Sequence, residues 1–124
     1  LGRIKTYHDG ERDLTVFTAE GVILADDVVQ AVDNFYRGKV TLHVLWDFSS
    51  ADVSQITGTD IERIVQLSVL HGEIRMGGKT AVVATEDLTF GLSRVYEMIK
   101  ETEHLPFQTS VFRSVDEAYA WVSK

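Results

Sequence analysis

The sequence predicts an α/β fold with a mainly parallel sheet. Three short apolar runs recur along the 124 residues: TLHVLWDF (41–48), KTAVVAT (79–85) and FQTSVF (107–112). Each is followed by a polar loop and an amphipathic stretch with its own start signal. Parallel neighbours need a crossover connection, and a helix is the usual one. Asp9-Gly10, between two further strand-like segments, adds an antiparallel hairpin at the start.

Residues 3–7 and 14–18 are the hairpin arms. Leu24, Val28, Val32, Phe35 and Tyr36 then recur at helical spacing and predict a helix over 25–37, stopped by Gly38. In the central strand Leu42, Val44, Trp46 and Phe48 alternate with Thr41, His43, Leu45 and Asp47. A second helix is expected over 59–72, opened by a capping box of Thr59 with Glu62. Its stripe is Ile61, Ile64, Val65 and Ser68, widened by Leu67, Leu70 and His71. Gly77-Gly78 reads as a tight turn into the strand at 79–85. Asp87 is the expected N-cap of a third helix over 87–102 that turns Leu88, Leu92, Val95 and Ile99 inward. Gly91 within it predicts a close approach to the sheet, because glycine in a helix costs roughly 1 kcal/mol against alanine. Ser114 with Glu117 is a second capping box, for a last helix over 115–123 with Val115, Ala118, Tyr119 and Val122 on its apolar face.

Right-handed crossovers between five consecutive strands, four of them parallel, would place every helix on one face of the sheet. The opposite face would then carry a mixed set of apolar side chains. Such a face suggests a partner or a second copy of the chain, and a symmetric homodimer is expected. The wide belt of the second helix, with Leu67, Leu70 and Ile74, is the alternative contact.

Composition narrows the function. A chain of this length makes one domain, 1–124, with one core. The 12 basic residues against 19 acidic ones give a net charge of −7. That argues against a nucleic-acid or anionic-lipid surface, each of which needs a basic patch. The absence of cysteine excludes disulfides, thiolate metal sites and thiol nucleophiles, and fits a cytoplasmic protein. The apolar runs fall short of the roughly 18 residues of a membrane span.

Few motifs point to chemistry. His8, His43, His71 and His104 lack the i, i+4 partners of a helical zinc pair, so no metal is expected, and His43 and His71 read as packing or surface residues. Gly77-Gly78-Lys79-Thr80 resembles the end of a phosphate-binding loop. The motif's first glycine is Glu73 here, however, and Lys79 opens a strand where the motif needs a helix. No cofactor is expected. The stretch 47–58 after the central strand is the better candidate, because ligands of open α/β sheets gather beyond the carboxyl ends of parallel strands. It offers Asp47, Ser49, Ser50 and Thr57, with Thr85 at the end of the next strand. Arg94 either turns an anion at that end or pairs on the surface with Glu97 or Glu101.

KTAVVAT running into DLTFGLSRVYEMI, and the ending VFRSVDEAYAWV, resemble small bacterial proteins of the SpoIIAA-like group. These are distant relatives of the STAS domains, and some are labelled as similar to CRAL–TRIO lipid-binding domains. The resemblance implies a right-handed β/α superhelix on a five-stranded, mostly parallel sheet with an antiparallel edge strand and helices mainly on one face. In the anti-sigma-factor antagonists a serine just before a glycine opens the helix after the central strand and is phosphorylated. The matching pair here is Thr57-Gly58, but Asp-Ser-Ser-Gly has become Gln55-Ile56-Thr57-Gly58. The expected function is a non-enzymatic binding or regulatory module working through protein contacts. Alternatives are a binder of a small apolar or lipid-like ligand held between helices and sheet, and an enzyme with a site at 47–57.

Overall fold

The structure is a computed structural model and describes residues 2–124. Its order is β1 (Arg3–Asp9), β2 (Leu14–Val22), α1 (Ala25–Arg37), β3 (His43–Asp52), α2 (Gly58–His71), a 3₁₀ turn (Gly72–Arg75), β4 (Lys79–Val83), α3 (Asp87–Thr102), β5 (Gln108–Phe112) and α4 (Val115–Val122). The five strands lie in consecutive order, with β1 antiparallel to β2 and every other pair parallel. This matches the sequence expectation.

Strand alternation divides the core in two. Phe17, Val44, Trp46 and Val82 point to one face, where they pack with Val28, Val32 and Phe35 of α1 and Ile61, Ile64 and Val65 of α2. Leu14, Val16, Leu45, Ala81 and Val83 point to the other, where Ala118 and Val122 of α4 cover them. The helices are therefore not all on one side. A crossover rule governs only helices that return to a parallel strand, and α4, which follows the last strand, is free to fold back over the opposite face. It closes much of the apolar surface from which self-association was expected.

Several local expectations shift. The link between β1 and β2 places its left-handed residue at Asp13 (φ 50°), with Gly10 in open space. The α2 capping box is Thr57 with Asp60 in place of Thr59 with Glu62, so the helix starts at Gly58. Thr57 Oγ1 accepts from the Asp60 amide at 3.2 Å, and the Asp60 carboxylate accepts from the Thr57 amide at 3.0 Å. At α3 the N-cap position is Glu86, with no side-chain cap, and Asp87 is the first helical residue. Ser114 does cap α4, accepting from the Glu117 amide at 3.3 Å. Gly77 has φ of 84°, and a Cβ on Gly78 would collide with the Leu42 carbonyl oxygen, so both glycines are required where the chain enters β4.

The largest correction concerns α3. Leu88, Val95 and Met98 lie in solvent, and the buried residues are Thr89, Ser93 and Lys100. Leu92 and Ile99 pack only at the margin of the core. Gly91 approaches nothing, since a Cβ there would meet open space. Leu70, expected to widen the α2 stripe, is exposed as well.

Candidate functional site

The residues expected at the carboxyl ends of the strands do not form one site. β3 runs on to Asp52, with Ser50 paired to Glu20 and Asp52 to Val22, so Ser49 and Ser50 are strand residues. Asp47 follows Leu45 on the α4 face, and its carboxylate accepts from the Ser49 amide at 2.9 Å. Thr57 heads α2 on the opposite face, where its hydroxyl is taken up by the cap. That cap holds the Asp60 carboxyl below the usual carboxylate range, chiefly through the hydrogen bonds from Thr57. The Thr85 carbonyl accepts from Arg113 at 3.0 Å. Arg94 pairs with Glu97 at 3.1 Å on the α3 surface. His43 is a packing residue whose Nδ1 accepts from the Lys79 amide at 3.0 Å.

The structure instead opens a cavity of about 100 Å³ between the sheet and α1, α2 and α3. Its apolar walls include Phe17, Phe35, Trp46 and Ile64, and Trp46 stacks on Phe17 at 4.3 Å between centroids. Among the polar side chains that reach it are Tyr36 of α1, Ser68 of α2, Thr80 of β4, and Thr89, Ser93 and Tyr96 of α3. The α3 residues recur at i, i+4 and i+7, and Lys100 continues them at i+11, so the helix turns one polar stripe toward the core.

At one end of this cavity stands Arg75, only 3% exposed, on the 3₁₀ turn after α2. Its Nε donates to the Leu42 carbonyl at 3.1 Å, and its Nη2 to the Lys79 carbonyl at 3.0 Å and to Thr80 Oγ1 at 2.9 Å. The guanidinium lies 4.3 Å from the centroid of Phe107, and Lys100 Nζ approaches the same ring at 5.3 Å. Ring contacts of this kind contribute about 0.5–2 kcal/mol, far less than burying an ion costs. Burial lowers the Lys100 pKa against the pull of Glu101 and Glu97, and it raises that of Tyr96. Among the described residues, no carboxylate lies within ion-pair distance of Arg75 or Lys100. Sequence reasoning missed this group because cations and hydroxyls are ordinarily assigned to the wet side of a helix. The available signal was the i, i+4, i+7, i+11 spacing of Thr89, Ser93, Tyr96 and Lys100.

No cluster of three or more His, Asp or Glu side chains among the described residues is arranged to hold a metal ion. No helix among them is long and apolar enough to cross a membrane.

No family model matches the sequence, and no curated protein does. Solved structures do. An uncharacterised protein of the DUF3478 family from Shewanella loihica PV-4, described as having a SpoIIAA-like fold, superposes with a TM-score of 0.62 at 17% identity, over 98% of this chain and 93% of the other. An anti-sigma factor antagonist from Mycobacterium paratuberculosis superposes with a TM-score of 0.53 at 12% identity, over 100% of this chain and 96% of the other. Together with the strand order and the helices described above, these likenesses show that the chain has a SpoIIAA-like fold.

Proposed function

We propose that the protein is a regulatory module acting through protein contacts, and that its contact surface is the outer side of α3 with the end of α2. The observation that carries this is the distribution of exposed apolar side chains. Apart from Tyr7 and Leu24, the large ones all fall between Val69 and Met98: Val69, Leu70, Ile74, Met76, Leu88, Val95 and Met98. Isolated exposed apolar residues are ordinary, but a concentration on neighbouring elements is what contact surfaces show. The fold of an anti-sigma factor antagonist, a protein described by its action on another regulator, supports the same reading.

The surface also offers the chain a site for pairing with itself, in place of the sheet face that α4 covers. A symmetric dimer buries the same patch twice. A photo-crosslinking side chain at Met98, introduced in cells of the source organism, is expected to give discrete protein adducts, whereas one at exposed Gln30 on α1 gives none. Identical adduct patterns at both positions, or none at Met98, would contradict the proposal. Sedimentation equilibrium is expected to show a dimer at micromolar concentration that Leu70→Glu with Met98→Glu dissociates. A monomer at hundreds of micromolar would remove self-association from the account.

A further inference from the structure

The interior of the same region carries a second inference, independent of the protein-contact reading. Arg75 has five N–H donors. Three are satisfied by Leu42, Lys79 and Thr80, and Nη1 has no partner among the described residues. Lys100, 6% exposed, likewise makes no hydrogen bond or ion pair among them, and both cations crowd the ring of Phe107. Thr109, the register neighbour of Thr80 on β5, has a buried hydroxyl with no partner. Both cations keep an unpartnered donor beside Phe107, a residue of the cavity wall, and an anion seated between them would accept charge-assisted hydrogen bonds from each. The wall beyond them is apolar and aromatic, so the anion belongs to a molecule with an apolar body. A cavity of about 150 Å³ takes up benzene. The cavity here is about 100 Å³, which suits a tail of about four carbons on the same scale.

We propose that this cavity binds a small organic monocarboxylate with a compact aliphatic tail. Its carboxylate accepts hydrogen bonds from Arg75 Nη1 and Lys100 Nζ, and its tail lies against Trp46, Ile64 and Val82. Thr89, Ser93 and Tyr96 then serve as the polar lining along which the ligand and its residual water are held. The competing role for Arg75 is purely structural, since its three bonds already tie the 3₁₀ turn to the starts of β3 and β4.

Titration of the intact protein with pentanoate and with pentanol, followed by the methyl resonances of Ile64 and Val82, separates the two roles. Pentanol keeps the tail and lacks the charge. Pentanoate is expected to give saturable shifts at both residues, and pentanol to bind at least about tenfold more weakly, because hydrogen bonds to a charged group are lost. Lys100→Met is expected to weaken pentanoate about fivefold or more and leave pentanol unchanged. Equal affinity for the two probes, or no saturable shift with millimolar pentanoate, would overturn the proposal and leave Arg75 a structural residue. That comparison needs only the unaltered protein, so it decides the matter even if Lys100→Met fails to fold.

Discussion

The two faces of the sheet are built by different rules. On the α4 face Leu14, Leu45, Ala81 and Val83 are fully buried, and Ala118 and Val122 close them over. On the α1–α3 face a larger set of aromatics lines a cavity, and one helix turns Thr89 and Ser93 into it and buries Lys100 while leaving Leu88, Val95 and Met98 in water. Helix burial ordinarily runs the other way. A face packed for stability has no reason to bury a lysine and expose a leucine on the same helix. The inversion in α3 gives the molecule an outer apolar surface and an inner polar lining at once, and it places both candidate functions on a single element.

The contrast can be broken most severely at the solid face. Leu45→Ala removes a wholly buried side chain from the core under α4, and should cost about 2–5 kcal/mol in denaturant unfolding. Pentanol binding across the sheet should be unchanged in whatever fraction stays folded. Adjacent valines on β4 sharpen the comparison. Val83→Ile adds a methylene to the packed face and should cost about 1–3 kcal/mol. Val82→Ile adds one to the cavity and should be neutral or gain about 0.5–1 kcal/mol. Equal penalties for the two would mean that the faces are packed alike.

Smaller effects test the edges of the site. Thr57→Ala removes the α2 cap and should cost about 1 kcal/mol, with adducts at Met98 retained. Loss of those adducts without a change in melting would make Thr57 a switch instead. His43 gives a pH signature. Burial lowers its pKa, helped by the charges of Lys79 and Arg75 and opposed by Asp13. Protonation of Nδ1 would also break the bond from the Lys79 amide. Between the lowered folded value and the ordinary 6.5 the unfolded chain binds more protons, so stability is full above 6.5 and falls as the pH drops below it. His43→Gln should flatten that decline.

Much of this architecture was legible in the residues. The alternation of apolar runs with amphipathic stretches yielded all five strands and four helices, because period and start signals are local properties. What failed was non-local. The position of α4 depends on which face of the sheet remains open after three crossovers, and no pattern within residues 115–123 records that. The rotation of α3 failed for a related reason: Leu88, Leu92, Val95 and Ile99 make a good amphipathic stripe, and so do Thr89, Ser93, Tyr96 and Lys100. Hydrophobicity alone selects the wrong one of two stripes about 100° apart when the core contains a polar-ended cavity. The first part of the stretch 47–58 reads as loop because Asp47 looks like a strand end, whereas β3 continues past it to pair with the extended end of β2.

The central claim is that the α1–α3 face of the sheet lines accessible apolar space, whereas the α4 face is packed under Ala118 and Val122. Xenon enters such space without needing a charge or a hydrogen bond. Under xenon pressure, the methyl resonances of Val44, Ile64 and Val82 are predicted to shift, while those of Val16, Leu45 and Val83 stay in place. Comparable shifts on both faces, or shifts confined to the α4 face, would contradict the account.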